Sequence, residues 1–177
     1  MAYEKFDNID WVTPDVKEFA YYWRSLDRDR VIPRRQSFDP GRISPLLHGI
    51  AIYEVRSRDE ILYRLAGTKL VDRIGMEVTG KNFLDFFEGE RRAKAADAMY
   101  ECVSRPCGMF SRLTGVSYKG RVETSVAAGF PLLDQDDTCN RLVFYSSGFD
   151  EDSFRVPEED RIKSLEAEQT IFIQLDN

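Results

Sequence analysis

The chain has 177 residues, 42% of them hydrophobic and 12% aromatic, enough to bury one domain core with terminal arms and too apolar for a disordered chain. Twenty-five basic against thirty-one acidic residues give a net charge of −6, which excludes general nucleic-acid binding because phosphate neutralisation needs a basic surface. No apolar run reaches bilayer length and the first residues have no signal-peptide core, so a cytoplasmic protein without membrane contact is expected.

A first helix is signalled by Thr13 as cap, Pro14 at the first helical position and Asp15 near the positive end of the dipole. Val16, Phe19, Ala20, Trp23 and Leu26 share one face, which must bury either on its own domain or on a partner subunit. Phe19 and Trp23 are assigned here to a homodimer interface. Asp39-Pro40 opens a short helix through Leu46 or Leu47, and Gly49 ends it. Ile50–Val55 and Ile61–Ala66 then read as the two strands of a hairpin.

From Tyr63 to Phe87 the chain runs from strand through a break at Gly67-Thr68 into a helical stretch ending at Ile74-Gly75. A second break at Thr79-Gly80 precedes an aromatic cluster, Phe83, Phe86 and Phe87. Small helices and an aromatic plug fed by a strand build a ligand-sized cup against a sheet. Glu90–Ser104 reads as a longer helix, stopped by Arg105-Pro106.

Phe110–Tyr118 and Arg121–Leu133 are strands joined through Lys119-Gly120, and Val122, Thr124, Val126, Ala128 and Phe130 alternate onto one half-buried face. After a polar loop, Leu142–Phe149 forms a fifth strand. Pro157 to Asp160 opens a last helix whose end is ambiguous, because Ile171, Ile173 and Leu175 alternate like a strand. The predicted fold is α+β: a five-stranded antiparallel sheet with helices on one face, an N-terminal helical arm (1–30), a core domain (31–150) and a C-terminal helical tail (151–177).

That order, with Tyr22-Trp23-Arg24-Ser25-Leu26, Ile32-Pro33-Arg34-Arg35, Phe38-Asp39-Pro40, Leu46-Leu47, Tyr63-Arg64-Leu65-Ala66-Gly67-Thr68, Gly75 and Thr79-Gly80, resembles a family of short, stand-alone bacterial PAS-fold proteins frequent in alphaproteobacteria. The resemblance spans residues 17 to 150. It implies a PAS-like sheet, a helical flank and a pocket between them, and carries no established reaction or ligand. Where such proteins often read Leu-Leu-Pro-His before the first strand, this one reads Leu47-His48-Gly49.

Few residues offer chemistry. His48, the only histidine, reads as structural, and its imidazolium would suit the negative end of a short helix. PAS haem sensors place a histidine on the helical flank; Lys69 to Ser104 contains none, so haem is not expected, although Met99 or Cys102 could ligate in principle. Photoadduct flavin domains carry Asn-Cys-Arg on a flank helix; Cys139-Asn140-Arg141 has those letters in another order before a strand, and such a flavin is not expected either. Three cysteines lack metal or disulfide spacing and read as reduced thiols. Asp134 to Asp137 reads as a solvated turn, and Arg34-Arg35 as partners of the protein's own acids. Arg64, Arg73, Arg112 and Arg121 would select an anionic ligand if they pointed into the cavity.

The expected function is a non-enzymatic sensor or adaptor. A small organic ligand would sit against Phe83, Phe87 and Met99, with Arg64, Thr68, Thr124 and Tyr145 offering polar contacts, and output would pass through a protein partner or self-association. The first alternative is a ligand-free interaction module in which the phenylalanines fill the core. The second is a small enzyme, disfavoured by the scarcity of histidine and metal motifs.

Overall fold

A computed structural model describes residues 3–27, 29–148 and 155–175. The C-terminal end of the fifth predicted strand, at Phe149, and the first residues of the predicted tail lie outside these. The strands are β1 (Tyr3–Lys5), β2 (Ile50–Val55), β3 (Ile61–Ala66), β4 (Gly108–Ser117), β5 (Val122–Leu133), β6 (Cys139–Gly148) and β7 (Ile162–Gln174). Three helices, α1 (Pro14–Arg24), α2 (Thr68–Ile74) and α3 (Gly89–Ser104), accompany them. The strands form one seven-stranded sheet in the order β1-β7-β4-β5-β6-β2-β3. All neighbours are antiparallel except β1, which runs parallel to the end of β7 from Tyr3 opposite Phe172 to Lys5 opposite Gln174.

The sheet has seven strands where five antiparallel ones were expected, because both termini add to it. In place of the C-terminal helical tail, only Glu158–Asp160 forms a 3-10 turn, and β7 pairs with the whole of β4. Two register shifts in that pairing, at Arg112/Leu113 and Val116/Ser117, disturb the two-residue period of β7. They leave Ile162 and Leu165 three residues apart on one face, a spacing that reads as helical. Pairing with β4 overrides that local pattern.

Helices cover both faces, the flank helices one and α1 of the N-terminal arm the other. On one side α1 lies across β5 and β6, burying Phe19 and Trp23 against Phe130. Phe6 and Trp11 extend this layer over Phe130. Val126, Ala128, Phe130, Val143 and Tyr145 belong to it from the sheet side. Phe19 and Trp23 are 0% and 2% exposed, so the face assigned to a dimer contact is used within the chain. A stripe this aromatic needs an apolar floor, and β5 supplies one at Val126, Ala128 and Phe130.

On the other side α2, α3 and the 3-10 turn Phe83–Phe86 cover Ala51, Tyr53, Tyr63, Met109, Ala127, Phe144 and Phe172. Successive strand residues point to opposite faces, so β5 feeds both layers.

Candidate functional site: a cavity between sheet and helical flank

The second layer is not filled. It leaves a partly open cavity of about 450 Å³, within the range of small-molecule sites. Its floor follows from cross-strand register. Thr170, Ser111, Ala127 and Ser146 face each other across β7, β4, β5 and β6, and Gly49 lines the same floor just before β2. A row of small residues across the sheet leaves space above it. The adjacent row, Phe172, Met109, Gly129, Phe144 and Ala51, is bulky, and the Phe144 ring lies directly over Gly129.

The roof is held in place locally. Gly67 starts α2 so close to the Leu47 and His48 carbonyl oxygens that an added Cβ would sit 2.4 Å from each. Gly75 ends the helix at φ 85°, a left-handed cap. Asn82 anchors the next turn: its Oδ1 accepts from the Leu84 and Ile61 N–H groups, both at 3.2 Å, and its Nδ2 donates to the Asp59 carbonyl at 2.7 Å. Phe83 is thereby held over Tyr53 and against Phe87, with ring centroids 5.3 and 4.9 Å apart.

The two ends of the cavity differ in polarity. Tyr53, Tyr63, Phe83, Phe87 and Phe144 make an aromatic end, and burial pushes the Tyr53 and Tyr63 phenols well up, so both stay neutral. Arg73 from α2, Glu123 and Ser125 from β5 and Ser146 from β6 make a polar end. Arg73 Nη1 donates to Ser146 Oγ at 3.2 Å, and its Nε lies 3.3 Å from Glu123 Oε1. The same carboxylate meets Arg121 Nη1 at 2.6 Å, and Arg121 reaches Asp160 at 3.4 Å. Burial lowers the pKa of Arg73, opposed by the charge of Glu123.

Of the residues assigned to ligand contact from sequence, Phe83, Phe87 and Met99 line the cavity together. Phe86 is buried beside Tyr63 as packing, outside the lining. Arg64, Thr68, Thr124 and Tyr145 lie elsewhere. Arg64 is exposed on β3 and ion-pairs with Glu54, and Thr68 is exposed at the start of α2. Thr124 shares the face of Val126, the side covered by α1. Tyr145 is buried on that same side and donates its hydroxyl to Asp15 Oδ2 at 2.7 Å. Thr124 and Tyr145 were expected at the cavity as strand positions able to hydrogen-bond, and both lie in the phase that α1 covers. Ser125 and Ser146 occupy the opposite phase and were missed. Arg73 was one of four arginines whose direction was open; Arg121 flanks the site through Glu123, and Arg112 is half-buried in the phase opposite Ser111.

The remaining candidates sit away from the cavity. His48 ends the 3-10 run Pro40–Gly49, where burial and then Lys69 lower its pKa. Cys102 and Cys107 are buried with Sγ atoms 3.9 Å apart, and Cys139 is half-buried. None of these four lines the cavity. Asp134 pairs with Arg141 at 3.0 Å, Asp136 accepts from the Thr138 N–H at 3.0 Å, and Asp137 pairs with Arg34. Arg35 lies over the Phe38 ring. Among the described residues no group of three or more His, Cys, Asp or Glu side chains is placed to hold a metal ion, and no helix is long and apolar enough to cross a membrane.

Residues 12–142 match the family described as PAS domain, and the chain belongs to that family. Compared with curated protein sequences, it matches none. Solved structures similar to it include a light-oxygen-voltage domain studied with a flavin analogue (14% identity, 63% of this chain and 84% of that one, TM-score 0.49). Another is the LOV protein of Rhodobacter sphaeroides (10% identity, 65% and 70% covered, TM-score 0.48). A third is the LOV domain of a blue-light activated histidine kinase from Erythrobacter litoralis (15% identity, 58% and 95% covered, TM-score 0.45).

Proposed function

We propose that the protein is a bacterial, cytoplasmic PAS-type sensor that binds a small organic ligand between sheet and helical flank. The observation that carries this reading is the cavity of about 450 Å³, apolar along most of its wall with a few polar and charged groups among its lining. A core simply filled by its phenylalanines would leave space for no more than a few waters, each occupying ~30 Å³ of liquid volume. Phe83 and Phe87 border open space, which supports the ligand-binding reading over the filled-core alternative. The polar groups in the lining suit binding and orientation. Its serines have no histidine beside them to act as general base, which supports a sensor over an enzyme.

Ligand in the cavity would press on α2, α3 and the Phe83–Phe86 turn, the elements of the roof, and alter the surface a protein partner or a second copy reads. Native mass spectrometry of freshly purified protein tests ligand and subunit number together. The expected result is a homodimer carrying a co-purified small molecule, released by Ala127→Leu, which places a branched side chain in the middle of the small-residue floor. A bare mass, together with no thermal shift across a metabolite library, would overturn the ligand reading.

A further inference from the structure

We propose that Arg73 selects a carboxylate, so that the ligand is a carboxylic acid with an apolar body lying toward Phe83 and Phe87. This rests on the reading of the cavity as a ligand site. The Arg73 side chain is only 13% exposed, and a guanidinium at that depth needs compensation. It finds little. Its contact with Glu123 is a single one at 3.3 Å through Nε, and its contact with Ser146 is to a neutral hydroxyl. Glu123 has a closer partner in Arg121 at 2.6 Å, and Arg121 in turn reaches Asp160 at 3.4 Å, so Arg73 shares the Glu123 carboxylate. Arg73 Nη2 has no hydrogen bond or ion pair among the described residues.

The surroundings suit a planar anion. Gly148 lets the guanidinium lie close over β6: an added Cβ would be 3.3–3.4 Å from Cζ, Nε and Nη2. Ser125, directly opposite Gly148 in the strand pairing, adds a hydroxyl to the same end. A carboxylate there would take the edge of Arg73 that no described residue fills and a serine hydroxyl, charge-assisted contacts that a neutral group matches poorly. An apolar ligand body has room along β5. From Glu123 to Gly129, the position under Phe144, β5 advances six residues, ~20 Å at strand spacing, toward a wall of aromatic rings.

Isothermal titration calorimetry of the full chain with decanoate and decanamide, which differ in headgroup charge, tests this. Decanoate is expected to bind about 10- to 100-fold tighter, as a hydrogen-bonded charge would give. Arg73→Gln should remove that preference while decanamide binding stays. Glu123→Gln, which removes the competing carboxylate, should tighten decanoate binding; a merely structural Arg73–Glu123 pair would not respond this way. Equal binding of the two probes to the unaltered protein, or a preference that survives Arg73→Gln, overturns the carboxylate assignment and leaves the cavity reading intact. Binding of neither probe, together with a bare native mass, overturns both.

Discussion

The indole of Trp23 lies nearly parallel on the ring of Phe130, with centroids 4.6 Å apart and planes 17° from each other. Its Nε1–H donates to the Pro131 carbonyl at 3.1 Å, so the helix is fixed to β5 by stacking and by direction at once. Trp23→Ala is therefore expected to cost about 3–5 kcal/mol in urea denaturation, the range for deleting a large core aromatic. Light scattering should show the same subunit number before and after the change. A variant of unchanged stability but altered assembly would return this face to a partner.

Glu54 makes stability depend on pH in acid. Burial alone would raise its pKa, but the guanidinium groups of Arg141, Arg64 and Arg56 outweigh this and hold it at about 2, below the ordinary 4.5. A carboxylate depressed in the folded state stabilises above its unfolded pKa, and that contribution is lost as pH falls through the folded value. Between about pH 4.5 and about pH 2 the unaltered protein should lose on the order of 1–2 kcal/mol relative to Glu54→Gln, after allowance for solvent screening of this partly exposed cluster. Parallel stability curves for the two proteins across that window would count against the assignment.

Gly129 has no room for a side chain. A Cβ there would lie 2.1–2.3 Å from three atoms of the Phe144 ring. Gly129→Ala should destabilise by about 1–3 kcal/mol through overpacking, and Phe144→Leu in the same chain should recover part of the loss. If the double variant is no more stable than the single one, the close approach is not the cause.

Ile173 tests the C-terminal strand. It is fully buried beside Phe130 and Gly108, whereas Glu168 in the same strand is exposed. Ile173→Ala should cost about 2–5 kcal/mol in thermal or urea unfolding. Glu168→Ala should stay within about 0.5 kcal/mol. A peripheral tail would tolerate both.

Much of the fold was legible because its signals are local. The bounds of β2 and β3 follow from their apolar runs, and Gly67 and Gly75 frame α2 as breaks in the pattern predict. Thr13 and Pro14 mark the start of α1, although the Thr13 side chain makes no capping hydrogen bond. Phe83, Phe87 and Met99 were legible as cavity residues because they follow the strand that carries the roof. The C-terminal strand was not, since the two register shifts with β4 interrupt its alternation and only the pairing reveals them.

By itself the sequence determined the segments that form the five central strands, β2 to β6, and the three α-helices, their order along the chain, and that an aromatic helical flank lies over the sheet. Only the tertiary structure decided which phase of each strand meets which cover. Alternation in β5 shows that Val126, Ala128 and Phe130 share a face; it does not say whether α1 or α3 lies above them. The chain covers both faces, so the small and polar phase, Ser125 and Ala127 with Ser146 beside them, looks outward in the sequence and faces the cavity in the fold. Periodicity records that a residue has a side. What fills that side is set by contacts between residues far apart in the chain.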